Sequence, residues 1–177
     1  MTTVVSCDPE VTPTRSSQAH ALADRLEQGA RALTALASSL TDAQWQTRIP
    51  HDGRKVGVVV HHVAFMYPLE ISVAQGIAAG KPVEGLTSAK IDEINAGHAA
   101  ENEGVTREAA LDLLKRNSAM AAAAVRAFSD EQLAQAVPVS LYADAPLTCQ
   151  FFIEDHALRH SYHHFAKIQS ALNARKG

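Results

Sequence analysis

The sequence predicts an all-α protein, a four-helix bundle with a long connection between its second and third helices. Three observations carry that prediction. Apolar residues recur at helical spacing in four separate stretches, each long enough for a bundle helix. Strand-like alternation of useful length is missing, AVPVSLYAD being the one short candidate. The 177 residues are enough to bury a single core without disulfide or metal staples. Residues 1–16 read as a flexible N-terminal arm, and residues 17–177 as one domain.

The first helix is placed at about Ser17 to Leu40 by Leu22, Leu26, Gly29, Leu33, Leu36 and Leu40, whose steps of three and four make one apolar stripe. Gly29 costs roughly 1 kcal/mol relative to alanine unless another backbone packs close to it. A second helix, about Lys55 to Ala79, is apolar nearly all round and is therefore expected in the interior. From Gly80 to Gly104 the fragments GKP, EGL, NAG and ENEG mark a connection, with a short helix over Ser88 to Asn95. Its length permits a crossover. Thr106 is a good N-cap for a third helix, whose stripe is Leu114, Ser118, Ala121, Val125 and Phe128. The fourth helix follows Pro146 and runs from about Thr148 to Asn173. Two short segments, LTDAQW and FSDEQL, each carry a Ser/Thr cap with Gln three residues on, the pattern of a capping box. Each closes a long helix and precedes a histidine-bearing one, as a helix pair used twice would. That arrangement sets His62 against the histidines of the fourth helix.

Composition removes several functions. Sixteen basic and nineteen acidic residues, with no basic block, lack the electrostatic footprint of a nucleic-acid binder. The start has no charged-then-apolar leader pattern. The apolar region from Val56 to Ala79 is interrupted by His61, His62, Pro68 and Glu70, which favours a buried helix over a membrane span. Cys7 and Cys149 lack metal-ligand spacing and read as reduced thiols of a cytoplasmic protein, Cys149 as a small packed residue. Serine-hydrolase, zincin, nucleotide-loop and dinucleotide motifs do not occur.

The chemistry concentrates in EDHALRHSYHHFAKI, where His156, His160, His163 and His164 fall close together. On a wheel of about 100° per residue, His160 and His164 lie at the edge of the apolar face. His156 and His163 fall on the polar arc, His156 near its boundary. Imidazoles at i and i+4 can hold one divalent ion, but a third ligand must come from elsewhere. His61 and His62 are the obvious suppliers, and the wheel cannot choose between them. The plainer alternative is that buried histidines hydrogen-bond a carbonyl or hydroxyl.

These same residues carry a resemblance. DGRKVGVVVHHVAFMY, followed later by HALRHSYHHFAKIQSAL, resembles the DinB-like superfamily, which includes YfiT-type proteins and mycothiol-dependent maleylpyruvate isomerases. The matching positions are Val56, Gly57, His62 and Ala64, then His160, His164 and Ile168, and the likeness spans about residues 17–172. The resemblance implies a DinB-like four-helix bundle in which His62, not His61, joins His160 and His164 as metal ligands. It further implies a divalent ion, zinc or nickel, and a homodimer. The implied activity is that of a thiol S-transferase or isomerase acting on an electrophile with a low-molecular-weight thiol cosubstrate.

Three histidine ligands leave coordination positions open, as in catalytic sites. A non-catalytic bundle stabilised by metal, acting as a dimeric binding or stress-response protein, is the alternative. It would close the sphere with a fourth protein ligand, for which His98 is the candidate. Beyond the ligands, Glu154 is expected on the inward side as an acceptor or base, and Tyr67 and Tyr162 are weaker candidates. Arg54 could meet an anionic substrate, although solvated surface is its expected place.

Overall fold

The computed structural model describes residues 16–174. Of the arm expected over residues 1–16, only Ser16 lies within that range, and Cys7 lies outside it. Ser16 is buried and accepts a hydrogen bond from the Ala19 amide at 2.9 Å, capping α1 (Ser17–Ser39). Leu22, Leu26, Gly29 and Leu33 of α1 are buried as the stripe requires. A Cβ at Gly29 would stand 2.8 Å from the Tyr162 ring and 3.2 Å from Ser161 Cβ, so the missing side chain admits the last helix. Both capping boxes form: Thr41 and Gln44 open α2 (Asp42–Trp45), and Ser129 and Gln132 open α6 (Asp130–Ala134).

The second long helix, α3 (Val56–Ala78), has the length and hydropathy of a membrane span, and 61% of its most apolar window is buried inside the bundle. Near its start, Trp45 is packed against Gly57, where an added Cβ would lie 2.4 Å from the indole. The helix in the following connection, α4 (Ser88–Glu101), outruns the expected Asn95 end. It continues through Gly97 because His98 is buried against α3, and such packing outweighs a glycine penalty of roughly 1 kcal/mol. The third long helix, α5 (Arg107–Arg126), starts from the Thr106 cap with Leu114, Ser118, Ala121 and Val125 inside.

The segment AVPVSLYAD forms the first arm and tip of a hairpin. Strands β1 (Ala136–Val139) and β2 (Ala145–Thr148) pair antiparallel, with Pro138 opposite Pro146. Four-residue strands with a proline in each arm leave little alternation to read. The fourth long helix is not one uninterrupted α-helix as expected. It consists of α7 (Cys149–Ile153), a π-helical segment over Glu154–Leu158, and α8 (Arg159–Asn173).

In the bundle, α1 packs on α5 and α8, and α3 packs on α5, α7 and α8. Helices α1 and α3 barely touch and sit diagonally, whereas α3 and α5, also consecutive among the long helices, are side by side. Each half runs long helix, capping-box turn, antiparallel return and histidine-bearing helix. The return is a single Arg48–Lys55 bridge in the first half and the β1–β2 hairpin in the second. This order brings α3 and α8 face to face.

Candidate metal centre

Where α3 faces α8, the three expected histidines converge. His62, His160 and His164 each offer a ring nitrogen, and these atoms all lie within 4.8 Å of one another. His62 and His164 are buried, and His160 is partly so. His62 Nε2 is 3.2 Å from His160 Nε2, and the His62 ring stands edge-on to both partners. Burial first, then the neighbouring His160 and Arg54, push His62 far below the ordinary imidazole range. The same causes hold His164 down at about 2. Both rings are therefore neutral at pH 7, the form that donates a lone pair to a metal. Nδ1 of His62 and of His164 is buried without a hydrogen-bond partner, which is costly for a polar atom in a core. Among the described residues no fourth histidine, cysteine or carboxylate joins the group. Three imidazoles converging in this way fit a divalent ion.

The carboxylate that serves this group is one the sequence reading did not assign. Glu70, two turns along α3 from His62, is buried and accepts from His160 Nδ1 at 2.7 Å. That contact fixes the His160 tautomer and leaves Nε2 turned toward His62. The signal was present, since Glu70 is an acid inside an otherwise apolar helix. Glu154, expected to face inward, instead pairs with Arg25 of α1 at 3.1 Å and is 37% exposed. The π segment widens the turn there, so the regular wheel no longer applies.

The same irregularity corrects His156, which was placed on the polar arc. Its ring stacks on Phe152 at 4.2 Å between centroids, and its Nε2 is 3.1 Å from the Tyr142 hydroxyl. Tyr142 donates to Asp155, and both Asp155 and His156 line the pocket above the triad. Burial is the main cause of a lowered His156 pKa. His163 stays exposed, at the pocket rim.

His98 does not act as a fourth ligand. Its Nε2 meets His61 Nδ1 at 2.9 Å with the rings stacked, and burial followed by His61 and Arg54 lowers it to about 4. The geometry therefore separates the two adjacent α3 histidines: His62 faces α8, and His61 faces α4. Tyr67 is fully buried against Ser161, while Tyr162 donates to the Arg25 carbonyl at 3.3 Å; neither lines the pocket. Cys149 is packed as expected, donating to the Ala74 carbonyl, and burial pushes its thiol up to about 11. Arg54 is not solvated surface: its side chain is 16% exposed, held by Asp52 and turned to the pocket.

The triad lies in the wall of a pocket of about 550 Å³. Apolar side chains of α3 and α4 form much of its lining, with Arg54, Arg159 and Lys167 among its polar residues. The pocket thus opens over the three converging imidazoles.

Comparison with known proteins follows the same lines. The DinB superfamily profile matches residues 25–168. A search among curated proteins finds no significant match. Among solved structures, the chain is similar to YfiT from Bacillus subtilis, described as a probable metal-dependent hydrolase with an unusual four-helix bundle topology. The two share 19% identity and a TM-score of 0.73 over 96% of this chain and 94% of that one.

Proposed function

This chain belongs to the DinB superfamily, and we propose that it is a divalent-metal-dependent thiol S-transferase or isomerase. In this reading His62, His160 and His164 hold zinc or nickel. The observation that carries it is the convergence of three imidazoles from two helices at one pocket, with no fourth protein ligand among the described residues. A divalent ion held there would lower the pKa of a thiol and polarise a carbonyl. The chain supplies the rest. Glu70 orients His160. The apolar lining restricts water around the reacting groups, which strengthens electrostatic interactions there. In the reaction the thiol gives up its proton, and its sulfur bonds to the electrophilic carbon of the substrate. That carbon releases its leaving group or, if it belongs to an activated double bond, the adduct takes up a proton.

The test uses the full chain loaded with zinc or nickel and offered mycothiol, bacillithiol or glutathione with monochlorobimane as electrophile. Metal-dependent consumption of one thiol, lost in His160→Ala, is the expected result. No turnover of any thiol at any metal loading counts against it. A second reading, water in place of the thiol, is favoured by the likeness to YfiT. Ester or amide hydrolysis by the loaded protein without thiol turnover would select it. A metal-loaded crystal structure with a fourth protein ligand would remove both readings in favour of a non-catalytic, metal-stabilised bundle.

A further inference from the structure

The pocket has two unlike regions. Met66, Leu69 and Val73 of α3, with Leu86, Ile91 and Ile94 before and within α4, make one of them apolar. Elsewhere Arg54 and Lys167 line it, both drawn to the same carboxylate, Asp52. Arg54 Nε and Nη2 grip Asp52 at 2.6 and 2.9 Å, while Lys167 Nζ stands 3.7 Å from it. Two cations against one carboxylate leave one positive charge uncompensated in this cluster.

Arg54 is also incompletely used. Its third nitrogen, Nη1, is buried and has no hydrogen-bond partner. A buried charged donor left unpaired is expensive, and natural structures seldom keep one without a reason. The two-pronged contact with Asp52 fixes the plane of the guanidinium, so Nη1 is held in place. Arginine held in this way is suited to carboxylate recognition. The guanidinium is also near enough to the triad for its charge to act on His62 and His164.

We propose that Arg54, with Lys167 beside it, forms an anion subsite, and that the pocket takes a small amphipathic carboxylate. The carboxylate sits at Arg54 and the apolar body lies along α3 and α4. The reactive group sits over His62, His160 and His164, a placement that rests on the metal-centre reading above. Asp52 is a positioning residue that acts through Arg54.

Calorimetric titration with hexanoate and with 1-hexanol tests the subsite on full-length protein, both zinc-loaded and chelator-treated. Hexanoate should bind at least about tenfold more tightly than hexanol, as one charge-assisted hydrogen bond implies. The preference should hold with and without zinc. In Arg54→Gln hexanoate should fall to the level of hexanol, with hexanol unchanged. Should that variant not fold, Arg54→Lys, which keeps a charge for Asp52, should retain only part of the preference. Equal binding of the two probes, no binding of hexanoate, or a preference that survives Arg54→Gln overturns the subsite. A preference confined to zinc-loaded protein also overturns it, because the carboxylate would then be on the ion. A chain that takes up no zinc yet shows the Arg54-dependent preference sinks the metal-centre reading and leaves the subsite standing.

Discussion

Replacing Glu70 by glutamine tests the metal centre at the residue that orients it. The carboxylate is buried and accepts from His160 Nδ1 at 2.7 Å, which leaves Nε2 on the side facing His62. Glutamine keeps the shape and an accepting oxygen but loses the charge. A hydrogen bond to a charged group contributes about 1.5–3 kcal/mol and a neutral one about 0.5–1.5 kcal/mol. The substitution therefore removes about 1–1.5 kcal/mol of orientation, or about tenfold in zinc affinity. Glu70→Ala, which removes the contact altogether, should move toward the hundredfold end of such effects. Zinc affinity is measured by competition with a chromogenic chelator, after cooperative melting shows that each variant is folded. An affinity within twofold of wild type in both variants would refute the orienting role. A loss as complete as that of His160→Ala would refute it differently, by making Glu70 a ligand.

Other consequences follow from the same geometry. Zinc at a hundredfold excess over its dissociation constant should stabilise the wild type by about 2.7 kcal/mol, and calorimetry should find no such gain in His62→Ala or His160→Ala. His164→Leu should abolish zinc binding yet raise the urea midpoint of metal-free protein, since it removes a buried ring whose Nδ1 has no partner. Gly57→Ala should lower the urea midpoint: a Cβ 2.4 Å from the Trp45 indole forces repacking costing about 1–3 kcal/mol, more than the helix gains from alanine. Acid should destabilise the metal-free protein. His62, His98 and His164 lie below the ordinary value when folded, so below about pH 6.5 the unfolded chain binds more protons. Stability then falls with decreasing pH by about 1.4 kcal/mol per unit for each histidine, and equal urea midpoints at pH 7.5 and pH 5 would contradict this.

The sequence made the inward pair legible because α8 is regular from Arg159 onward, so the wheel that joins His160 to His164 describes real geometry. It misplaced Glu154 and His156 because a π segment leaves no mark in hydrophobic periodicity, yet it turns every side chain within it. The choice between His61 and His62 was beyond periodicity for another reason. Helix α3 is apolar on almost every side, and only its packing against α8 on one side and α4 on the other separates the two rings. Glu70 and Arg54 were visible as residue types. Their roles depend on His160 and Asp52, the first contributed by a distant helix and the second by the turn before α3.

The fold accommodates these groups because of where the costs are placed. Three imidazoles, a carboxylate and a guanidinium would each destabilise a helix interface if scattered through it. Here they converge between α3, α8 and the turn that leads into α3, while the buried core elsewhere is mostly leucine, valine, isoleucine and alanine. The diagonal placement of α1 and α3 makes this possible, since it frees one side of α3 to meet α8. Unpartnered polar atoms of His62, His164, Glu70 and Arg54 all belong to residues that line this one pocket. A stability-selected interface would satisfy or delete such atoms. Their retention in one pocket is the physical reason to read it as a ligand-binding site.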